Sequence, residues 1–173
     1  KFYLNTFCEL TFSSTEEVCK KIEEDISKKI KGPVSVTLTE LTEDRPSSVI
    51  QDAQYIDDSI THMKKTSSWI EDETLVSETL FTHAFRSLCP ITSQPDYATI
   101  ILKYTGKKIC HQALMNYIVS FKHHQGFHEQ CVELIYEEIL EKAGCQSLCV
   151  QGLFTRRGGL DINPIRSSYK TDS

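Results

Sequence analysis

The order of hydrophobic patterns between residues 73 and 165 constrains the fold of this chain more than any other feature. Two strand-like runs come first, two helical patterns follow, and two more strand-like runs close the region. In order, these runs cover residues 75–85, 97–104, 111–122, 127–143, 148–155 and 160–165. Because consecutive strands joined by short turns pair antiparallel, the order predicts an α+β fold. Two predicted helices thus lie in sequence between two pairs of predicted strands.

Each of the two helical patterns carries an apolar face, which predicts that both helices pack against the sheet. The faces consist of Leu114, Tyr117, Ile118 and Phe121 in the first helix, and of Cys131, Leu134, Ile135 and Ile139 in the second. Gly144 is expected to end the second helix, because glycine readily adopts the left-handed conformation found there. The Arg-Arg-Gly-Gly sequence of residues 156–159 predicts a tight turn between the last two strands.

The first third of the chain predicts one longer helix, over residues 12–30. Ser14 and Glu17 have the spacing of a capping box, and apolar residues recur every four positions after them. Gly32 and Pro33 follow directly and are expected to stop this helix, because neither residue continues one easily.

Residues 34–39 alternate apolar and polar side chains, which predicts a half-buried strand. Residues 42–72 are polar and irregular, with a short predicted strand near residues 54–56. The first part of the chain thus repeats, weakly, the element order of the second part without its first hairpin. We therefore expect two tandem modules, the incomplete remainder of the first over residues 1–60 and the second over residues 61–173.

The composition is that of a folded globular protein, with 39% hydrophobic and 25% charged residues. A formal net charge of −5 argues against direct contact with nucleic acid and favours a small-molecule substrate. No run of 18 apolar residues is present, so no membrane span is expected. The seven cysteines are odd in number and irregularly spaced, which predicts reduced thiols and a cytoplasmic location.

A loop between the first two predicted strands combines a thiol and a carboxyl. Cys89 and Asp96 lie seven residues apart, and Pro90 and Pro95 restrict the backbone between them. A thiolate is a strong nucleophile, and a neighbouring carboxyl can protonate the group that it attacks. The alternative is a buried, inert cysteine and an aspartate that belongs to a turn, and this segment alone does not exclude it.

Two further segments contain candidate binding residues. His128 and Glu129 begin the second helix, where free backbone N–H groups attract polar ligands, and the Glu129 carboxylate could accept two hydrogen bonds from a guanine-like edge. Arg157 and Gly158 lie in the glycine-rich turn, where an arginine and an accessible backbone suit a phosphate. A solvated helix start and an ordinary hairpin turn are the alternatives.

A zinc site is a further alternative, since several residues of the metal-ligand types lie close together in sequence. They are His124, His128, Cys131, Cys145 and Cys149. No Cys-x2-Cys pair is present, and Cys131 falls on the apolar face of its helix. We therefore expect no metal site and interpret Cys131 as a core residue.

Four motifs in this order resemble the NADPH-dependent 7-cyano-7-deazaguanine reductases, the nitrile reductases of queuosine biosynthesis, a tRNA modification pathway. The motifs are Cys-Pro-Ile-Thr-Ser-Gln-Pro-Asp at residues 89–96, Ser-Phe-Lys-His-His at 120–124, Phe-His-Glu-Gln-Cys-Val-Glu at 127–133 and Thr-Arg-Arg-Gly-Gly-Leu-Asp-Ile-Asn-Pro at 155–164. The resemblance runs from about residue 1 to residue 168 and is strongest from residue 88 onward. It implies the tunnelling fold, an antiparallel sheet with two helices inserted between its hairpins.

The resemblance also implies a role for each candidate residue. Cys89 would attack the nitrile carbon to form a thioimide, and Asp96 would donate a proton to the nitrogen. His128 and Glu129 would bind the deazapurine substrate. NADPH would supply hydride, with its phosphates near Arg157 and Gly158. The resemblance further implies a homo-oligomer, for which we expect a dimer.

The chain departs from the family at one signature, Glu-Ser-Lys-Ser-x-Lys, which contributes to substrate and cofactor binding. Residues 111–117 occupy the corresponding place in the second module and do not match it. The resemblance is closest to the tandem-module branch, in which the signature lies in the first module. We therefore expect it upstream of Lys1, in an N-terminally longer protein. The remaining alternatives are a GTP cyclohydrolase-like hydrolase of the same fold and a non-catalytic purine-binding module.

Overall fold

The computed structural model describes residues 2–39, 52–62 and 68–170. The chain divides into two compact units, of which the first ends at Pro46 and the second begins at Ser47. This division comes earlier than the predicted one between residues 60 and 61. A short strand, β1 (Gln54–Tyr55), pairs with the sheet of the second unit, so the residues just before position 60 belong to that unit. That the first unit is the remainder of a first module stays a prediction.

The first unit contains a short helix, α1 (Phe2–Asn5), a 3-10 turn (Thr6–Glu9) and a longer helix, α2 (Thr15–Ile30). Half of the predicted capping box is present, because the Ser14 hydroxyl accepts a hydrogen bond from the Glu17 N–H at 3.3 Å. The Glu17 carboxylate accepts from the Ser13 N–H instead of the Ser14 N–H. The helix ends at Lys31, which adopts the left-handed conformation with φ of 57°.

The predicted strand at residues 34–39 is wrong. The structure describes residues 33–39 without any strand, and the backbone N–H of Val36 donates to the Glu23 carboxylate at 2.8 Å instead of to a neighbouring strand. Alternation alone predicts a strand only where a partner strand is available. The internal repeat that suggested tandem modules therefore lacks one of its elements.

A five-stranded sheet forms the second unit, with its strands in sequence order and all neighbours antiparallel except β1, which is parallel to β2. The remaining strands are β2 (Ile70–Leu88), β3 (Pro95–Ile109), β4 (Ser147–Phe154) and β5 (Ile165–Ser167). The register places Ser87 opposite Asp96, and Ala98 opposite Phe154. These four residues therefore lie at the same end of three neighbouring strands, β2, β3 and β4.

Two helices lie between the two hairpins in sequence, as predicted, and the α+β class is confirmed. They are α3 (His111–Ser120), followed by a 3-10 turn (Phe121–His123), and α4 (His128–Ala143), which ends at Gly144 with φ of 59°. This is the element order that the tunnelling fold requires.

The helices bury most of their predicted apolar faces against the sheet. Buried residues include Leu114, Ile118, Phe121, Cys131, Ile135 and Ile139. Leu134 is an exception at 40% exposure, because the next residue, Ile135, is the one that faces the core. The Leu134 carbonyl accepts a hydrogen bond from the Tyr117 hydroxyl, which ties α4 to α3.

The last hairpin differs from the prediction, since β5 begins at Ile165 and not at Leu160. The Asn163 side chain accepts a hydrogen bond from the Phe154 N–H at 2.9 Å, and the Pro164 carbonyl accepts one from the Gly152 N–H. A side chain thus replaces the backbone partner that a strand would supply, and Pro164 has no N–H to donate. The segment between Phe154 and Ile165 forms a loop.

Candidate active site

Cys89 begins the six-residue loop that joins β2 to β3. The Cys89 N–H donates to the Gln94 carbonyl and the Ser93 N–H donates to the Cys89 carbonyl, both at 2.8 Å. Ser93 adopts a left-handed conformation with φ of 57°. Two backbone hydrogen bonds therefore hold the thiol-bearing residue in a closed loop between the paired residues Leu88 and Pro95.

The loop favours the thiolate form of Cys89. Hydrogen bonds with the Thr92 hydroxyl, and then with the N–H groups of Thr92 and Ile91, lower the pKa of the Cys89 thiol. Partial burial and the negative charge of Asp96 act in the opposite direction and do not cancel the decrease. Cys131, by contrast, is fully buried, and its burial raises the pKa of its thiol. The two cysteines thus differ in reactivity for a physical reason.

Asp96 is the second residue of β3 and is only 3% exposed, so it is a buried carboxyl and not the turn residue of the alternative interpretation. Arg157 Nε lies 2.5 Å from its Oδ1 atom, and His128 Nε2 lies 3.4 Å from the same oxygen. The Arg157 contact is an ion pair. Among the described residues, this oxygen is buried without a hydrogen-bond partner of good geometry.

His128, the first residue of α4, contacts the aromatic core of the sheet. Its ring is stacked on Phe154, with ring centroids 3.8 Å apart and planes 5° apart. Its Nε2 atom is directed to Asp96, and within the described residues its Nδ1 atom is buried with no hydrogen-bond partner. The imidazole is therefore held rigidly, with one nitrogen on the carboxyl and one available to a ligand.

Glu129 is exposed in the first turn of α4, one residue after His128. The Gln130 side chain accepts a hydrogen bond from the Phe127 N–H at 3.0 Å and so caps the start of the helix. Glu129 thus lies at the positive end of the helix dipole, which favours a carboxylate.

Arg157 lies in the turn formed by residues 157–160. Arg157 and Leu160 exchange two backbone hydrogen bonds, and the glycines between them, Gly158 and Gly159, have φ of 56° and 81°. These angles are those of a type I′ turn, which only glycine, asparagine or aspartate adopts at little cost. The guanidinium of Arg157 is not extended into solvent. It contacts Asp96 and donates to the Pro95 carbonyl at 2.6 Å.

The connection between α3 and α4 is joined to the Cys89 loop by three hydrogen bonds. The Leu88 N–H donates to the His124 carbonyl, and the Gly126 N–H donates back to the Leu88 carbonyl. The Gln125 side chain donates to the Ser93 hydroxyl at 3.1 Å. The start of α4 and the thiol loop are consequently fixed relative to each other.

The structure thus brings four of the six predicted residues into one cluster. Cys89, Asp96, His128 and Arg157 are linked directly or through the Asp96 charge, and Glu129 follows His128 in the chain. Gly158 follows Arg157 in the turn and has a positive φ. An open groove of about 350 Å³ lies outside this cluster and is lined by His124, Gln125, Gln130, Glu133, Leu134 and Glu137.

Three site contacts were not predicted from the sequence. They are the ion pair between Arg157 and Asp96, the stacking of Phe154 on His128, and the hydrogen bond from Gln125 to Ser93. Each joins residues at least 26 positions apart, so no local spacing indicates it. Among the described residues, no three histidine, cysteine or acidic side chains lie close enough together to hold a metal ion. No described helix is long and apolar enough to cross a membrane.

The turn at residues 157–160 fits an anionic group such as a cofactor phosphate. A Cβ atom at Gly159 would meet nothing within 4 Å, so the turn is open on that side. The side chain of Arg157 is 38% exposed. Because its guanidinium already contacts Asp96 and Pro95, a phosphate bound here would share it with them.

The fold and the site agree with the family comparison. Residues 95–173 match the family model described as QueF-like protein. The matched residues include Asp96, His128, Glu129, Arg157 and Gly158.

Two relatives of the chain carry the name of a particular enzyme. The chain is 40% identical, over 178 aligned residues, to the NADPH-dependent 7-cyano-7-deazaguanine reductase of Desulfotalea psychrophila, and 40% identical over 176 residues to the protein of that name from Hahella chejuensis. Each alignment covers 98% of this chain and 64% of the relative. The chain thus spans slightly less than two thirds of the length of these proteins. The resemblance seen in its sequence is confirmed.

A solved structure was also found, the crystal structure of the archaeosine synthase QueF-Like in the apo form. It matches 59% of this chain and 100% of its own, with a TM-score of 0.49 and 15% sequence identity.

Proposed function

We propose that the protein reduces the nitrile of 7-cyano-7-deazaguanine to the aminomethyl group, with NADPH as reductant, in queuosine biosynthesis. The observation that carries the proposal is the cluster itself. A loop that lowers the pKa of the Cys89 thiol lies beside a buried carboxyl, Asp96, in a chain 40% identical to two proteins named for this reaction.

The first step is the addition of the thiol to the nitrile. The Cys89 sulfur forms a bond to the nitrile carbon as one bond of the carbon–nitrogen triple bond opens. The Asp96 carboxylate takes the proton of the Cys89 thiol as the thiolate forms and then gives this proton to the nitrogen, so that the products are a neutral thioimide and the regenerated carboxylate. The lowered pKa of Cys89 favours this step because the thiolate is the attacking species.

The remaining residues bind and orient the substrate. The Glu129 carboxylate suits the two N–H donors of the guanine-like edge, and His128, held flat on Phe154, offers its buried Nδ1 atom. Bound NADPH would supply hydride, and conversion of a nitrile to an amine requires two hydrides in total. Arg157 and Gly158 would hold its phosphate groups at the open side of the turn.

The partner and location follow from the same proposal. A deazapurine of this size is a small-molecule substrate, so no contact with nucleic acid is needed for the reaction. We further propose a cytoplasmic, homo-oligomeric protein, with a dimer as the expected assembly, which size-exclusion chromatography with light scattering would measure.

Turnover with the nitrile tests the proposal. We expect consumption of two NADPH for each aminomethyl product, measured by NADPH absorbance and by mass spectrometry of the product. Cys89→Ser should abolish turnover, and Cys149→Ser, at a partly exposed cysteine of β4, is the matched control. Hydrolysis of GTP instead, or ligand binding without any turnover, would favour the cyclohydrolase-like or the non-catalytic alternative.

A further inference from the structure

The ion pair between Arg157 and Asp96 takes no part in the thiol addition described above. The Arg157 guanidinium contacts two consecutive residues of β3. Its Nε atom contacts the carboxyl of Asp96, and a terminal nitrogen donates to the carbonyl of Pro95. Two contacts of this kind restrict both the position and the rotation of the Asp96 side chain.

The loop that carries Arg157 is built to present it at this place. The Thr155 N–H donates to the Tyr97 carbonyl, which anchors the loop to β3 one residue after Asp96. The glycine turn reverses the chain directly after Arg157, and Arg156 closes the loop with a two-pronged ion pair to Asp161, the shortest contact of which is 2.6 Å. The position of Arg157 is therefore set before any ligand binds.

The charge that the first step leaves on Asp96 suggests a role for its contact with Arg157. When Asp96 has given its proton to the nitrile nitrogen, a carboxylate remains at a site that is only 3% exposed. A buried carboxylate without a counter-ion is costly. Arg157 supplies a permanent positive charge at the same oxygen that faces His128, and it does so without a proton transfer of its own.

We propose that Arg157 is a positioning residue for Asp96, through which it promotes thioimide formation, before and apart from any contact with the cofactor. This inference rests on the proposed reaction at Cys89 and Asp96. It goes beyond the cofactor-phosphate role that the sequence resemblance implies for Arg157, because that role affects only the steps that involve NADPH.

The rate of thioimide formation in the absence of NADPH tests the inference. The adduct is followed by intact mass after mixing the protein with 7-cyano-7-deazaguanine. We expect Arg157→Ala to slow adduct formation by about tenfold to a hundredfold, the range for a displaced catalytic group. Arg157→Lys, which keeps the charge but not the fork of donors, should recover part of the rate. Arg166→Ala, which removes an arginine of similar exposure that pairs with Glu133, should react at the wild-type rate.

A second measurement separates positioning from damage to the fold. Alkylation of Cys89 by iodoacetamide, at a pH well above the pKa of the thiol, needs no proton donor. It should proceed at the wild-type rate in Arg157→Ala. Adduct formation by Arg157→Ala at the wild-type rate, or loss of alkylation together with loss of the adduct, would overturn the inference. A wild-type protein that is alkylated normally but forms no adduct would instead overturn the proposed function, and this inference with it.

Discussion

The ring of His128 lies flat against the ring of Phe154, with centroids 3.8 Å apart, and this stacking directs the imidazole Nε2 atom to Asp96. Phe154 is the last residue of β4, pairs with Ala98 in the sheet, and is buried. The geometry of the candidate acid and its histidine neighbour therefore depends on the packing of a core aromatic residue two strands away from Cys89.

Gly152 controls the space beside Phe154. A Cβ atom at position 152 would lie 2.8 Å from both the Phe154 ring and a methyl group of Val132. We expect Gly152→Ala to destabilise the protein by about 1–3 kcal/mol, as overpacking does, and to slow adduct formation because the His128 ring must move. Urea unfolding measures the first effect and intact mass measures the second.

Gly32→Ala is the control for this substitution, because a Cβ atom there would meet only the Ile30 side chain, at an ordinary 3.8 Å. Equal stability of Gly152→Ala and Gly32→Ala would show that Phe154 and its neighbours move to accommodate the added methyl group at little cost.

Thr92 is expected to tune the reactivity of Cys89. The hydrogen bond with the Thr92 hydroxyl is the largest factor that lowers the pKa of the Cys89 thiol. Thr92→Val should therefore raise this pKa, move the pH profile of iodoacetamide alkylation upward, and slow alkylation at neutral pH. Alkylation at high pH, where both proteins carry the thiolate, should be similar.

Thr105→Val is the matched control for Thr92→Val, since it removes a hydroxyl that donates to Ser77 elsewhere in the sheet. Cys131 should remain the slowest thiol of the site in both variants, because burial raises its pKa and restricts access to it. An unchanged pH profile in Thr92→Val would contradict this explanation of the Cys89 pKa.

Asp96→Asn should separate binding from chemistry. The amide keeps the shape of the side chain but cannot give a proton to the nitrile nitrogen, so adduct formation should fall by about 10²–10⁴-fold. Binding of the substrate, measured by calorimetry in a Cys89→Ala background, should change much less. Asp72→Asn, at an exposed aspartate of β2 whose carboxylate accepts from the Thr74 N–H, is the control. Adduct formation by Asp96→Asn at the wild-type rate would exclude Asp96 as the proton donor.

Tyr104 is expected to contribute to stability alone. Its buried hydroxyl donates to the Glu78 carboxylate at 2.8 Å and accepts from the Ile109 N–H at 3.0 Å. Tyr104→Phe leaves that buried N–H without a partner and should cost about 1–3 kcal/mol in urea unfolding. Tyr97→Phe, at a half-exposed tyrosine of the same strand, should cost less than about 0.5 kcal/mol. Equal effects would contradict the importance of the buried hydroxyl.

The elements that could be predicted from the sequence are those whose patterns repeat over many residues. Helix α4 is an example, since its apolar spacing and Gly144 predict both its buried face and its end. The strand at residues 34–39 and the strand at residues 160–165 were predicted wrongly, because a hydrophobic alternation does not show whether a partner strand is present. At the second of these, a single side chain, Asn163, replaces the expected ladder hydrogen bond.

The site was predictable to the extent that its residues are neighbours in sequence. Pro90 and Pro95 indicate a restrained loop after Cys89, and the structure adds the hydrogen bonds that close it. The contact of Arg157 with Asp96 joins residues 61 positions apart, and it depends on the packing of a loop against β3. A phosphate-binding arginine and an arginine that neutralises a buried carboxylate have the same sequence pattern, so only the structure distinguishes the second role.

Intact mass spectrometry of the protein mixed with 7-cyano-7-deazaguanine, without NADPH, tests the central claim most directly. We predict that the wild-type protein gains the mass of one nitrile molecule, that peptide mapping places it on Cys89, and that Cys89→Ala gains nothing. An adduct that persists in Cys89→Ala, or a wild-type protein that binds the nitrile but never forms a covalent adduct, would contradict the assignment of Cys89 as the nucleophile.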